Sequence, residues 1–228
     1  MKITWLGQAG LLFETNQSII LVDPYLSNGV AKIQPHNERR VPVDERFLKI
    51  KPNVIVITHH HADHLDKETL VHYLSESSEI TVLAPYSAWT ELKTFGGIKN
   101  NYVLFNEGTV WSENEMDFRA VRAEHSDAYA IGVVISAEGK NYYITGDTLY
   151  NEKIFASLPN LKYEMVFLPV NGKGNNMNVT QAKAFAKRVG ARFVVPIHFG
   201  LFDDLDGSEL DCSNKKVPKI FQTISRFF

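Results

Sequence analysis

The sequence of 228 residues is poor in cysteine and lacks long apolar runs. Its single cysteine, Cys212, permits no internal disulfide, which suits a reducing compartment. No apolar run reaches the ~20 residues that a membrane-spanning helix needs. The first residues, Met1 to Trp5, enter a strand-like pattern and do not resemble a signal peptide. We therefore expect a cytoplasmic protein without a membrane segment.

An excess of charge of one sign is also missing, since 24 Lys and Arg face 26 Asp and Glu and the formal net charge is −2. This balance argues against a general affinity for nucleic-acid phosphates, although it allows a local basic patch. With 44% hydrophobic residues, the chain can bury a sizeable core, and its length suits one α/β domain over residues 1–228. We expect a small-molecule substrate and no nucleic-acid partner. A homo-oligomer remains an open alternative.

Four potential metal ligands lie within six residues: His59, His61, Asp63 and His64 follow the apolar run Val54–Ile57. The β-branched run predicts a buried strand, so the ligands lie at its carboxyl end, where open α/β sheets place ligand sites. His59 and His61 can converge on one ion, whereas Asp63 and His64 continue around the turn and can serve a second. A solvated histidine-rich loop or a tag remnant is the alternative, but the stretch is internal and interrupted by Asp63. The cluster therefore predicts a metal site.

Further candidate ligands follow other apolar runs. His125, Asp147 and His198 each stand just after a predicted strand and can enter the same cleft. A lone histidine is more often structural, and Gly146-Asp147 alone is also typical of a turn. A carboxylate between two cations can nevertheless bridge them. Asp23 ends another predicted strand, where it either caps a turn or orients a metal-bound histidine.

The remaining pattern alternates short strands and helices, which indicates a βα arrangement with mostly parallel strands. Strands are predicted at 2–6, 11–14, 18–22, 54–57, 80–83, 102–105, 116–123, 130–136, 141–145, 165–169 and 192–197, and helices at 66–74, 86–95, 151–157 and 180–189. The long polar connection 25–49 is typical of a lid or binding loop. Within it, Arg39 and Arg40 are expected to be solvated, with an anionic substrate group as the alternative partner, and His36 has no ligand role.

Two further segments carry predictions. The segment Asn171–Asn178 follows a strand and is not a P-loop, because Lys173 precedes glycine and not Ser or Thr. We interpret it as an active-site loop in which Lys173, Asn175 and Asn178 bind substrate. The apolar stripe near the end of the sequence predicts docking onto the core, with an oligomer interface as the alternative. It consists of Val217, Ile220, Phe221, Ile224, Phe227 and Phe228.

The pattern His-x-His-x-Asp-His at 59–64, followed by the later ligands in order, resembles the signature of the metallo-β-lactamase superfamily of metal-dependent hydrolases. The resemblance implies an α/β fold of the αβ/βα sandwich type, with two mixed sheets, outer helices and the metals at one edge. It also implies a ligand set. His59, His61 and His125 bind the first ion, Asp63, His64 and His198 bind the second, Asp147 bridges the two, and Asp23 faces the site.

Such a centre implies hydrolysis. A water between two ions ~3.5–4 Å apart can lose a proton near neutral pH, because coordination lowers its pKa to about 7. The resulting metal-bound hydroxide would attack an ester carbonyl or a phosphorus centre, and Asp63 or a second water would protonate the leaving group. Imidazole and carboxylate ligands fit zinc, with manganese or iron as alternatives. We therefore expect two divalent metal ions as cofactors.

The motifs Trp5-Leu6-Gly7, Val22-Asp23, Gly146-Asp147 and Val194 to His198 are similar to those of the bacterial ascorbate-6-phosphate lactonase group. This likeness predicts a lactonase-like enzyme for a lactone or related small ester, phosphorylated or not. The alternatives are a phosphodiesterase or nuclease, which needs basic surface near the cleft, and a phospholipase D-type hydrolase of N-acyl phosphatidylethanolamine. A di-iron redox protein of this fold fits less well, because such relatives show an acidic residue where this chain has His61.

Overall fold

Two six-stranded sheets form the frame of the protein in a computed structural model that describes residues 1–76 and 78–224. In the first sheet the spatial order follows the chain. It contains β1 (Lys2–Gly7), β2 (Gly10–Glu14), β3 (Ile19–Val22), β4 (Val54–Val56), β5 (Thr81–Ala84) and β6 (Asn101–Leu104). Strands β1 to β3 pair antiparallel, whereas β3 to β6 pair parallel, so the sheet is mixed.

The second sheet is mixed in the same way. It contains β7 (Val110–Glu113), β8 (Met116–Arg122), β9 (Ile131–Ala137), β10 (Lys140–Ile144), β11 (Tyr163–Pro169) and β12 (Phe193–Ile197), again in consecutive order. Strands β7 to β10 form an antiparallel meander. Strands β10 to β12 are parallel, so β10 and β12 both end on the same edge of the sheet.

Helix α1 (Gly29–Ile33) lies in the connection between β3 and β4. The outer faces of the sheets are covered by α2 (Lys67–Tyr73), α3 (Tyr86–Leu92), α4 (Glu152–Ser157) and α5 (Val179–Val189). Alternation along β4 shows the layering: Val54 and Val56 belong to the core between the sheets, whereas Ile55 packs in the cluster that contains Leu70 of α2 and Ala88 of α3. Helix α4 contacts β8, and helix α5 contacts β11. The predicted αβ/βα sandwich with two mixed sheets is therefore confirmed.

Three local features differ from the sequence-based expectation. Strand β7 was not predicted, because an edge strand whose residues are exposed or half-buried carries no run of buried apolar positions. Helix α3 ends at Leu92, three residues earlier than the pattern suggested. The connection 25–49 is not a plain loop, since it contains α1 and two 3₁₀ turns at Pro35–Asn37 and Phe47–Lys49.

The adjacent arginines of this connection differ in environment, and the expectation that both are solvated is wrong for Arg39. Its side chain is half-buried and donates to the carbonyl oxygens of Tyr25 (2.8 Å) and Val41 (2.7 Å). The guanidinium lies 5.5 Å from the centre of the Tyr25 ring. Burial lowers the pKa of Arg39 from its usual value. Arg40 is exposed and pairs with Asp204.

The segment near the end of the described chain lies along β1. The backbone N–H of Phe221 donates to Trp5 O (2.7 Å), and that of Ile224 donates to Ile3 O (2.7 Å). Ile224 is buried in the core, as predicted for docking, whereas Val217 is 38% exposed. Phe227 and Phe228 lie outside the described residues. None of the helices within residues 1–76 and 78–224 has the length and apolar composition needed to cross a bilayer.

Candidate metal centre

Loops at the carboxyl ends of strands supply all the predicted ligands. His59 to His64 follow β4, His125 follows β8, Asp147 follows β10 and His198 follows β12. Local backbone geometry turns some of these side chains inward. His198 has a positive φ of 61°, and its N–H donates to Gln8 O at 2.9 Å. Parallel pairing within each sheet thus brings ligands from distant parts of the sequence to one edge.

His59, His61 and His125 form the first cluster. Each offers a ring nitrogen, and these atoms lie within 4.8 Å of one another. The ring of His59 is 4.6 Å from those of both other histidines, centre to centre. Burial lowers the pKa of all three, most strongly that of His59. The imidazoles are therefore neutral near pH 7, which is the form that binds metal ions.

Asp63, His64 and His198 form the second cluster, again with ligand atoms within 4.8 Å of one another. His198 Nε2 lies 3.2 Å from Asp63 Oδ2. Burial disfavours the cationic form of both histidines, but nearby carboxylates outweigh it. Asp147, followed by Asp23, raises the pKa of His64 well above its usual value, and Asp147 together with Asp63 raises that of His198 to about 10. The cluster is thus a region of negative potential that attracts a cation.

Asp147 connects the two clusters. Its Oδ1 lies 3.3 Å from His64 Nε2 and its Oδ2 lies 3.1 Å from His198 Nε2. It also forms a third group of close ligand atoms with His59 and His64. Gly146 makes this position accessible, because its φ is +63° and a Cβ there would lie 2.6 Å from a backbone oxygen of Ile131. The carboxylate therefore contacts His64 and His198 of the second cluster and lies close to His59 of the first.

The buried donor atoms fit bound metal ions. His59 Nε2 is buried and has no hydrogen-bond partner among the described residues. Such atoms are costly unless something else satisfies them. Five imidazoles together with the carboxylates of Asp63 and Asp147 form a donor set that suits divalent zinc, manganese or iron. The predicted ligands His59, His61, Asp63, His64, His125, Asp147 and His198 are all brought together at this edge.

Asp23 contacts the ring nitrogen of His64 that does not face the clusters. Its Oδ2 lies 2.8 Å from His64 Nδ1 and accepts the hydroxyl of Thr58 at 2.6 Å, and its Oδ1 accepts the N–H of Thr58 at 2.8 Å. Both Asp23 and His64 are fully buried. The contact keeps a proton on Nδ1 and turns Nε2 towards the cluster, which is how carboxylates commonly orient metal-binding histidines.

The sequence pattern gave no signal for two buried amides that hold ligand carboxylates. Gln8 Nε2 donates to Asp63 Oδ2 at 2.9 Å, and Asn176 Nδ2 donates to Asp147 Oδ2 at 2.8 Å. Gln8 is 3% exposed and has a positive φ of 50° in the turn between β1 and β2. A polar residue in a predicted turn is usually solvated. Only the fold reveals that this one faces the ligands.

His60 is held differently from its neighbours in the histidine cluster. Its Nδ1 lies 2.6 Å from Asp127 Oδ2, which also accepts the hydroxyl of Ser87 at 2.6 Å. The backbone N–H of His60 donates to the same carboxylate at 3.2 Å. Asp127 therefore ties the ligand loop to α3, although it was not singled out in the sequence.

The predicted substrate-binding residues occupy three different environments. Lys173 is exposed and lines a cavity of about 680 Å³ beside the clusters. Asn175 is exposed, and its carbonyl oxygen lies 3.4 Å from His125 Nδ1. Asn178 instead caps α5: its side chain accepts the N–H of Gln181 at 2.9 Å in a capping box. Its immediate contact is thus structural.

An αβ/βα sandwich with His/Asp clusters at the carboxyl ends of its strands defines a class of metal-binding α/β proteins. A family model described as the β-lactamase superfamily domain matches residues 19–199. The chain belongs to this superfamily. A UPF0173 metal-dependent hydrolase from Geobacillus thermodenitrificans (strain NG80-2) is 28% identical over 218 residues, covering 89% of this chain and 87% of that protein.

Solved structures share the fold. Igni18, a metallo hydrolase from the archaeon Ignicoccus hospitalis KIN4/I, is 20% identical with a TM-score of 0.78, covering 100% of this chain and 98% of its own. An isothiocyanate hydrolase from Delia radicum gut bacteria is 18% identical with a TM-score of 0.76, covering 99% of both chains. At these identities the likeness shows the fold alone. Together with the ligand clusters, the comparisons support the prediction of a metal-dependent hydrolase.

Proposed function

We propose that the protein is a dinuclear metal-dependent hydrolase that acts on a lactone or a related small ester, with or without a phosphate group. One observation carries the proposal: two three-ligand clusters lie side by side with Asp147 between them. Three protein ligands per ion leave coordination positions for water and substrate, as in catalytic and not structural sites. The clusters also border a cavity of about 680 Å³, a size typical of small-molecule sites.

The residues of the chain hold and orient the reactive groups. The two clusters would hold divalent ions, which would supply Lewis acidity and lower the pKa of a bound water for attack on a carbonyl carbon or a phosphorus atom. Asp23 fixes the tautomer of His64, and Gln8 and Asn176 fix one oxygen each of Asp63 and Asp147. These contacts therefore fix the orientation of the Asp63 and Asp147 carboxylates and of the His64 ring. Proton donation to the leaving group by Asp63 stays a prediction.

Lys173 is the candidate for gripping an anionic group of the substrate. It lines the cavity, and no carboxylate within residues 1–76 and 78–224 forms an ion pair with it. Its ammonium can therefore form charge-assisted hydrogen bonds with a carboxylate or phosphate on the substrate. The glycines on either side, Gly172 and Gly174, both have positive φ and shape the loop that presents it.

The charge around the cavity favours a small ester over a phosphodiester of nucleic acid. Among the described residues that line the cavity, Lys173 is the one Lys or Arg, and Asp63, Asp147 and Asp203 are acidic. The nearby arginines are engaged elsewhere, Arg39 with backbone carbonyls and Arg40 with Asp204. A nuclease groove needs a basic stripe to hold successive phosphates. Phosphodiesterase activity is therefore the alternative that the experiment includes.

A substrate panel on purified protein tests the proposal. Simple lactones, phosphorylated lactones, aryl esters and bis-p-nitrophenyl phosphate are assayed with protein loaded separately with zinc, manganese and iron. Protein stripped by a chelator serves as the control. We expect hydrolysis of at least one lactone or ester, lost on chelation and restored by metal. Turnover of bis-p-nitrophenyl phosphate alone would assign the alternative function, and activity that survives complete removal of metal would contradict the proposal.

A further inference from the structure

Both polar and apolar side chains line the cavity beside the candidate metal centre. The polar ones include Lys173 and Asn176 of the loop after β11 and His36 after α1. The apolar side chains come from three separate segments, namely Val30 and Ile33 of α1, Ala62 of the ligand loop, and Phe202 after β12. We call these four residues the apolar wall. Such a mixed lining is typical of sites that bind a ligand with one polar and one apolar end.

Ile33 is the most informative member of the wall. It is 66% exposed, so most of its apolar surface does not contribute the stabilisation that burial would give. Its position is also special, because it ends α1 and lines the cavity that contains Asp63, Asp147 and His198. A ligand in the cavity would remove this side chain from water. Ile98, which is 87% exposed, does not line this cavity and provides an internal comparison.

The wall is preformed. Val30 belongs to a small buried cluster with Tyr25 and Leu201, against which Ala62 and Phe202 also pack. The N–H of Val30 donates to the buried Tyr25 hydroxyl at 3.3 Å, and the Tyr25 and Phe202 rings lie 5.6 Å apart. This support holds α1 in place without any ligand, so that binding requires little ordering of the protein.

Hydrogen bonds fasten the same segment from outside. The N–H of Arg39 donates to Asn28 Oδ1 at 2.9 Å, just before α1 begins. The N–H of Arg40 donates to Leu201 O at 3.0 Å and so links the segment to the stretch that carries Phe202. Arg39 also holds the carbonyl of Tyr25. The segment that contains α1 and the stretch that carries Phe202 are therefore tied to each other.

We infer that the apolar wall binds the apolar part of the substrate, so that the enzyme prefers esters or lactones with an alkyl or aryl substituent over short polar ones. This inference rests on the proposed function and specifies its substrate class. The cavity volume of about 680 Å³ agrees with it, since ligand sites of roughly 300–1,000 Å³ hold drug-sized molecules. The reacting carbonyl lies at the metal centre, and the substituent extends onto Ile33 and Phe202.

Binding of straight-chain carboxylates, the acyl products of such esters, tests the wall without requiring turnover. Acetate, butyrate, hexanoate and octanoate are titrated into zinc-loaded protein by calorimetry. Burial of each methylene in the parent protein should increase affinity roughly fourfold over the carbons that reach the wall. In Ile33→Ser the increase per methylene should fall below about twofold, because polar surface replaces apolar surface. Ile33→Leu should restore the parental dependence, and Ile98→Ser should match the parent.

The outcomes separate this inference from the proposed function. Equal chain-length dependence in the parent and Ile33→Ser, no dependence in the parent, or no binding up to octanoate would each overturn the apolar subsite, even if lactones are hydrolysed. Conversely, a dependence lost in Ile33→Ser supports the subsite even if no ester on the panel is hydrolysed, in which case the proposed reaction fails. Ile33 is exposed, so its replacement leaves the core unchanged, and circular dichroism checks the fold.

Discussion

The carboxylate of Asp23 lies 2.8 Å from His64 Nδ1, and both side chains are completely buried. This pair determines which nitrogen of His64 faces the clusters. Because Nδ1 contacts Asp23, Nε2 points to the other side, where it lies 3.3 Å from Asp147 Oδ1 and 3.8 Å from Asp63 Oδ2. The orientation of His64 therefore depends on a residue 41 positions earlier in the chain. The metal centre is built as much by such supporting contacts as by the ligands.

Asp23→Asn should weaken metal binding and turnover roughly 10–100-fold, the range typical of groups that orient metal ligands. The asparagine amide lacks the negative charge that favours a proton on His64 Nδ1. It also has a single oxygen, so it cannot replace all three contacts of the Asp23 carboxylate with Thr58 and His64. Metal affinity is measured by competition with a chromophoric chelator, alongside catalytic rate and circular dichroism. Asp117→Asn, at an exposed position on β8, is the matched control. Parental affinity in folded Asp23→Asn would show that the pair does not position His64.

Asp147→Asn should have a larger effect than Asp23→Asn on both metal occupancy and rate. Asp147 contacts ligands on both sides, and its loss removes a negative charge from between two cations, which then repel each other more strongly. The expected result is a folded protein that loses at least one ion and most of its activity. Metal content by elemental analysis and kcat are measured on the same preparation. Two retained ions with near-parental activity would disprove the bridging assignment.

The candidate ligands can be predicted from the sequence because each one stands just after an apolar run that forms a strand. The supporting residues were harder to find, since Gln8 and Asn176 contact Asp63 and Asp147 across 55 and 29 positions, respectively. No local periodicity reports such contacts. The capping role of Asn178, in contrast, was readable from Gln181 three positions later. Asp23 was the exception among supporting residues, because it stands at a strand end like the ligands.

The segment around α1 could not be predicted for a different reason. The helix has five residues, and its N-cap residue Asn28 makes no side-chain capping bond. Helices this short are not stable by propensity and depend on tertiary packing. Here Val30 of α1 packs with Tyr25 and with Leu201, and Leu201 is far from α1 in the sequence. The fold of the two sheets, whose strands are apolar and regular, was therefore far easier to predict than the wall of the cavity.

Lys173→Ala should raise KM for an anionic substrate while leaving metal content unchanged. The ammonium lines the cavity and has no ligand role, so its removal takes away substrate binding and not the metal centre. A comparable change for a neutral substrate is not expected, which distinguishes charge recognition from a general disturbance of the loop. Lys99→Ala, at an exposed site outside the cavity, is the control. Unchanged kinetics on anionic substrates would show that Lys173 is solvated and does not bind substrate.

Arg39→Ala should destabilise the fold, whereas Arg40→Ala should change it little. Arg39 donates to two partly buried backbone carbonyls and lies beside the Tyr25 ring, so its removal leaves these acceptors unpaired, at a cost of about 1–3 kcal/mol. Arg40 is exposed, and its pair with Asp204 is solvent-screened. Urea denaturation of both variants measures the free energy of unfolding. Equal stability of the two variants would contradict the structural role assigned to Arg39.

Metal stoichiometry tests the central claim most directly. Purified protein is stripped with a chelator, titrated with zinc, manganese or iron in separate experiments, and analysed for bound metal and hydrolytic rate at each addition. Two clusters with a carboxylate between them predict saturation near two ions per chain, with full activity reached only when both are bound. Saturation at one ion per chain with full activity would contradict the dinuclear centre.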